Sequence, residues 1–172
     1  MEQITNMSLL NPSNFRFAIE RAPYLSFFAQ NVILPSISLG SNPMGTPFTD
    51  INYPGDHVEY DPLTVSFMVD EDLKGYIEMY NWIRGLGFPD SFDEYKAMLT
   101  NENFKTRTDE VTSNIMLYAM TGARNLNIKY TFVDAFPTNV GPILFNAAVS
   151  ETPVPTCSVT FKYTTFTVET II

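Results

Sequence analysis

Alternation of apolar and polar side chains dominates this chain, and its clearest instance lies in the last third. Asn125 to Phe132 reads Asn-Leu-Asn-Ile-Lys-Tyr-Thr-Phe, the period of a half-buried strand. Asp134-Ala-Phe-Pro-Thr-Asn-Val-Gly141 interrupts it, predicting a Phe-Pro turn and a polar excursion, and Thr156 to Val168 resumes the alternation. Inward parity changes within that final run: Val159, Phe161 and Tyr163 are odd, Phe166 and Val168 even. The slip predicts a bulge or sheet corner near Thr164-Thr165. The same period recurs at Phe15-Phe17-Ile19, Leu63-Val65-Phe67-Val69 and Ile115-Leu117-Ala119. Pro23 is expected to end the first of these strands, and Phe27 to Leu39 to form two short strands bent at Leu34-Pro35.

One segment switches to the helical period, with apolar residues at Leu73, Tyr76, Ile77, Tyr80 and Ile83. Asp70-Glu71-Asp72 stands at its start, where carboxylates satisfy free N–H groups and oppose the positive end of the helix dipole. Arg84, Gly85 and Gly87 supply a stop signal. The pattern predicts a helix that packs Leu73, Ile77, Tyr80 and Ile83 on a sheet. Ser91-Phe-Asp-Glu94 has capping-box spacing, predicting a second short helix over Ser91 to Leu99. The charged Asn101 to Glu110 stretch reads as a solvated excursion.

Two segments follow neither period. Met1 to Pro12 reads as a mobile arm. Gly40 to Pro62 carries Pro43, Pro47, Pro54, Gly45 and Gly55, too many breakers for regular structure, and is expected to be a long loop. It also holds Met44, Phe48, Ile51 and Tyr53, which a solvated loop does not need. Spread among breakers, they are hard for a local fold to bury, and this favours an interface over a loop that tucks back on its own domain. The expected fold is mainly β, an antiparallel sandwich or open barrel with one main α-helix, forming a single domain over residues 1–172.

Composition narrows the function more by exclusion than by assertion. A chain of 172 residues with 45% hydrophobic side chains can bury a core without disulfides or metal. Ten scattered Lys and Arg against a net charge of −9 argue against phosphate-neutralising nucleic-acid binding. Cys157 stands alone, which excludes an intrachain disulfide and favours an intracellular origin. No secretory leader pattern and no apolar run of about 20 residues is present, so neither export by that route nor membrane insertion is expected.

The chemistry is sparse as well. With His57 and Cys157 as the only histidine and cysteine, a multi-His or Cys/His metal site cannot form within one chain. A His57–Cys157 nucleophilic pair would require the two to meet, whereas Cys157 sits in a strand pattern that buries it as a small thiol. Asp70-Glu71-Asp72 lacks the glycine and later glutamate of a calcium loop. Gly85-Leu-Gly87 follows a helix rather than a strand and is no dinucleotide fingerprint. Neither an enzyme nor a cofactor is expected.

Five fragments point to a family: Asn14-Phe-Arg-Phe-Ala-Ile-Glu20, Phe28-Ala-Gln-Asn-Val-Ile-Leu-Pro35, Tyr53-Pro-Gly-Asp56, Asp61-Pro-Leu-Thr-Val-Ser-Phe-Met-Val-Asp-Glu71 and Ala135-Phe-Pro-Thr-Asn-Val-Gly141. In their order, and with Trp82 late in the helix, the chain resembles the tail tube proteins of contractile, T4-like bacteriophages. The resemblance implies six copies closing into a ring and rings stacking into the inner tail tube, the conduit for DNA ejection, in the virion after assembly in the host cytoplasm. It implies tail sheath, baseplate and neck proteins as partners, DNA that passes without specific binding, and inter-subunit or inter-ring contacts through Met44, Phe48, Tyr53, Pro54, Gly55 and Asp56. The acidic balance would then keep DNA from sticking to the lumen wall within a Debye length of about 8 Å.

Two other readings stay open. The Phe88 to Glu110 segment looks longer and more charged than a plain tube subunit requires, which fits a single-ring, tube-like adaptor at the baseplate or neck; the modest length favours the major subunit. A β-barrel binding a small apolar ligand is the third, since Phe, Tyr and Met are abundant enough to line a pocket.

Overall fold

The computed structural model describes residues 8–100, 111–146 and 154–171. Its centre is a seven-stranded antiparallel sheet in the order β1-β6-β7-β8-β5-β2, with β9 pairing β7 off that path. In chain order the strands are β1 (Phe15–Ile19), β2 (Ala29–Ile33), β5 (Leu63–Met68), β6 (Ser113–Met120), β7 (Leu126–Val140), β8 (Thr156–Lys162) and β9 (Thr165–Thr170); β3 (Ile37–Gly45) and β4 (Asp50–Tyr60) make a separate two-stranded sheet. The helices are α1 (Pro23–Phe28), α2 (Lys74–Gly87) and α3 (Phe92–Thr100). The mainly β, antiparallel expectation is met.

The segment from Asn125 to Gly141 corrects the expected turn. Phe136-Pro137 lies inside β7, a single strand of 15 residues that bends rather than reverses. It pairs with β9 up to Val133 and with β6 up to Ala135; from Phe136 it pairs with β8. The bend sits at Asp134, in the left-handed region at φ 56°, with its N–H donated to Asn114 Oδ1 at 3.3 Å. A proline is tolerated here because the ladder to β8 shifts register between Pro137 and Asn139. The parity slip near Thr164-Thr165 is the matching corner: β8 ends, Thr164 N–H reaches Val133 O at 3.0 Å, and β9 crosses to the other half of β7.

This double corner divides the sheet into two half-sheets facing one core. Phe17, Ile19, Ile115, Leu117 and Phe132 enter it from one side; Leu63, Val65, Phe67, Cys157, Val159 and Phe161 enter from the other. The odd-numbered alternation of β5, β6 and β8 is what delivers these side chains inward.

Helix α2 closes the core with a different face from the one expected. Gly75, Met79, Trp82 and Gly85 are buried, while Ile77 and Tyr80 stay about half exposed. The stripe that wins carries the largest side chain and a glycine. A Cβ on Gly75 would stand 3.3 Å from the Phe67 ring, so the missing methyl lets the helix settle on β5. Trp82 meets Phe161 in a tilted contact, ring centroids 6.2 Å apart, and donates Nε1–H to Val111 O at 3.0 Å. The Arg21 guanidinium lies over the indole, 4.6 Å from its centroid, and burial lowers the Arg21 pKa to about 10.

The helix signals are used in part. Asp70 does start α2, its carboxylate accepting Lys74 N–H at 3.2 Å and its carbonyl accepting Leu73 N–H at 3.0 Å. Gly85 lies within the helix and Gly87 is its last residue; the left-handed cap is Phe88, whose N–H bonds Arg84 O at 2.7 Å. Arg84 instead ties α2 to the next helix through Asp90 and Glu94. Ser91 starts α3 as expected, with Asp93 N–H on its Oγ at 3.3 Å. Asn101 to Glu110 lies outside the described residues, as does Met1 to Met7 of the expected arm.

Pro23 opens α1 rather than merely ending β1. Its fixed φ suits the first helical position, and Ser26 Oγ bonds Ala22 O and both backbone groups of Ile19, fastening the strand-to-helix corner. Glu78 of α2 accepts backbone hydrogen bonds from Leu25 and Tyr24 at the start of α1, yet burial outweighs them and raises its pKa from 4.5 to about 7. A raised carboxylate pKa means stability that is fully present below pH 4.5 and lost as pH rises through about 7. Glu78→Gln is therefore expected to leave thermal stability unchanged near pH 4 and to raise it at pH 8. After allowing for solvent screening of a half-buried group, the gain is about 1 kcal/mol, or roughly 3 °C. Melting curves at both pH values check it.

Candidate assembly interface

The expected Gly40 to Pro62 loop is a β-hairpin. β3 and β4 pair from Ile37↔Tyr60 to Gly45↔Asp50, Pro43 and Pro54 included, and among the described residues no other element packs on them extensively. Proline survives in these strands because each has an edge without a ladder partner among the described residues. Breaker counting failed for that reason: a two-stranded ribbon is all edge.

The register slips once, between Leu39 and Ser41. There the two strands come so close that a Cβ on Gly55 would stand 2.7 Å from Gly40 O. Gly55 is thus a close-approach glycine, and Gly55→Val is expected to unpair the outer hairpin, costing about 1–3 kcal/mol locally. Hydrogen exchange should speed up in β3 and β4 while the main sheet keeps its protection.

All the predicted contact residues come together on this element. Met44 is 49% exposed, Tyr53 50% and Phe48, in the turn, 98%. Met44 pairs with Ile51, Tyr53 with Asn42 and Pro54 with Ser41; Asp56 is exposed beside the slip. Ile37, Leu39, Val58 and Tyr60, which the sequence reading did not single out, extend the apolar surface towards the root. The signal for them was present as alternation in β3 and β4, masked by the prolines. An isolated hairpin is marginal in water, and one with this much apolar exposure is stabilised by a covering surface.

Among the described residues, the chemically capable side chains stay apart. His57 is exposed on β4 and Cys157 is buried in the core, where burial raises its thiol pKa. Among the described residues no cluster of His, Cys, Asp or Glu could hold a metal ion, and no helix is long and apolar enough to cross a membrane. A solvent-open groove of about 580 Å³ runs between β1, α1 and β2, past Arg16, Phe27 and Gln30.

Residues 4–169 match the phage tail tube protein family. The chain belongs to that family. It is 31% identical to the tail tube terminator protein of Enterobacteria phage T4 over 176 residues, covering 98% of this chain and 93% of that protein. Its fold resembles the tube-terminating cap of the anti-feeding prophage, with a TM-score of 0.64, 17% identity and coverage of 99% and 97%. It also resembles a chain of the sheath–tube complex of the extracellular contractile injection system PVC, with a TM-score of 0.58, 11% identity and coverage of 96% and 94%. As a tail tube family member it is a structural component of a contractile phage tail in the virion, not an enzyme.

Proposed function

We propose that this protein terminates the tail tube: six copies close into one ring that caps the tube at its neck end and leaves a passage for DNA. The observation that carries this reading is the 31% identity to the T4 tail tube terminator along nearly the whole of both chains. The reading prefers the single-ring adaptor over the stacking subunit that chain length favoured. The hairpin, with Met44, Phe48, Tyr53, Pro54, Gly55 and Asp56, would supply contact to a neighbouring subunit or to the last tube ring, where sheath and neck proteins also meet. Ring closure would give β1 and β2, which end the sheet among the described residues, a partner that prevents open-ended aggregation. Assembly in the host cytoplasm goes with this role.

Electron microscopy of the purified protein, alone and mixed with preformed tubes, tests it. A terminator is expected to form isolated rings and to add one ring to one tube end. Long uniform tubes from the protein alone would overturn the terminator reading in favour of the major subunit, which the family description equally accommodates. The ligand-binding barrel has little support, since Phe67, Phe132, Phe161 and Trp82 fill the interior between the half-sheets.

A further inference from the structure

The hairpin leaves the barrel through two short proline-containing links, Leu34-Pro35-Ser36 and Asp61-Pro62. Such links alone would let a ribbon swing. Here they are fastened to each other and to the corner between β8 and β9. Across the links, Asp61 N–H donates to Ser36 O at 3.2 Å, and Ser36 Oγ donates to the Asp61 carboxylate. From the barrel, Tyr163 Oη donates to Asp61 O at 2.8 Å, and Thr165 Oγ1 meets Tyr60 Oη at 3.4 Å.

Rings reinforce these bonds. Tyr60, the last residue of β4, lies 6.0 Å from Tyr163 and 5.5 Å from Phe166. Both of those rings rest on buried Phe132, at 5.0 and 5.3 Å. A chain of contacts thus runs from the core to the foot of a ribbon on which no other described element packs extensively. Aromatic pairs at these separations attract each other beyond what their burial contributes.

We infer that Tyr60, Tyr163 and Phe166 form a root lock that fixes the direction in which the hairpin leaves the barrel, so that Tyr163 is a positioning residue for assembly. The lock holds the ribbon before any partner arrives, which spares assembly the entropy of ordering it. The geometry also explains the position of the parity slip. Placing Tyr163, Thr165 and Phe166 together at the foot of the hairpin requires the chain to turn a sheet corner there. Burial, followed by the neighbouring Asp61 and Tyr60, pushes the Tyr163 pKa up to about 12, keeping its hydroxyl a donor across the working pH range.

The assembly role rests on the hairpin being an inter-subunit contact, whereas the lock itself does not, and the test separates the two. Hydrogen exchange is measured on the unassembled full chain for Tyr163→Phe, which keeps the ring and deletes the bond, for Tyr60→Ala, which deletes the ring, and for Tyr60→Phe as the conservative control. Loss of one hydrogen bond is expected to speed exchange of the Asp61 amide and the β3–β4 amides about fivefold in Tyr163→Phe. Tyr60→Ala should go further, and Tyr60→Phe, which keeps the ring and gives up only the long 3.4 Å contact with Thr165, should fall between the parent and Tyr163→Phe. The β5–β8 amides should keep their protection in all three. Unchanged exchange at the root in Tyr163→Phe overturns the lock; so does acceleration spread equally over the main sheet, which marks a role in global stability alone. Ring yield by electron microscopy is read separately: a fully ring-competent protein with a loosened root overturns the positioning role while leaving the lock standing.

Discussion

Trp82→Ala is expected to destabilise the protein by roughly 3–5 kcal/mol, the range for deleting a large aromatic side chain from a packed core. Three losses coincide. The indole fills the space between α2 and Phe161, where it is 2% exposed. Its Nε1–H satisfies Val111 O, which leads directly into β6. It also carries the Arg21 guanidinium on its face, so removing the ring leaves a buried cation without its aromatic support. For a domain of this size the loss corresponds to a melting temperature lower by about 10 °C or more. Trp82→Phe restores bulk but not the N–H donor and is expected to recover about half of the loss, the remainder reporting the Val111 bond. Denaturant titration of both variants checks the partition; equal stability of Trp82→Phe and the parent would show that the bond contributes nothing net.

The second large effect falls on assembly rather than on folding. Met44→Asp combined with Tyr53→Asp is expected to reduce ring or tube-end assembly at least about 100-fold, while the melting temperature stays within a few degrees of the parent. The split follows from exposure: both side chains are about half exposed on a ribbon that little else touches, so charging them costs the isolated chain little. In an interface the same carboxylates would be desolvated without partners, at a cost of several kcal/mol for the pair. Acidic neighbours sharpen the effect, since Asp50, Asp56 and Glu59 already lie on β4. Sedimentation velocity and electron microscopy of the double variant decide the matter. Undiminished assembly would remove the hairpin tip from the interface, and a collapse in melting temperature would place the two residues in the fold instead.

Strands whose inward positions meet one shared core were legible from the chain. The alternations at Leu63-Val65-Phe67, Ile115-Leu117 and Val159-Phe161 each became a buried row, and even the parity slip at Thr164-Thr165 became a corner. Errors arose where a residue type has two meanings. Proline marks a break in a central strand but is tolerated on an edge, which turned the β3–β4 ribbon into an expected loop and the bend of β7 into an expected turn. Glycine marks a helix end but also a close packing contact: Gly75 seats α2 against Phe67, and Gly85 is buried within the helix, less than one turn from its end at Gly87. Helix α2 carries two apolar stripes, and local pattern cannot say which will meet a sheet; the depth offered by Gly75 and the volume of Trp82 decide it. The candidate contact residues gathered on one element because they belonged to one segment, whatever its conformation. The root contacts at Tyr60, Tyr163 and Phe166 were out of reach, because partners about a hundred residues apart leave no local trace.

The long strand β7 has a mechanical consequence. Because one covalent segment belongs to both half-sheets, tension along it is passed from the β6–β9 side to the β8–β5 side without crossing a loop. Hydrogen bonds perpendicular to such a strand are strained together in shear rather than peeled one after another. In an assembly of the kind proposed above, load entering one half-sheet would reach the other through this strand, and Asp134, its one residue in the left-handed region, marks where its direction changes.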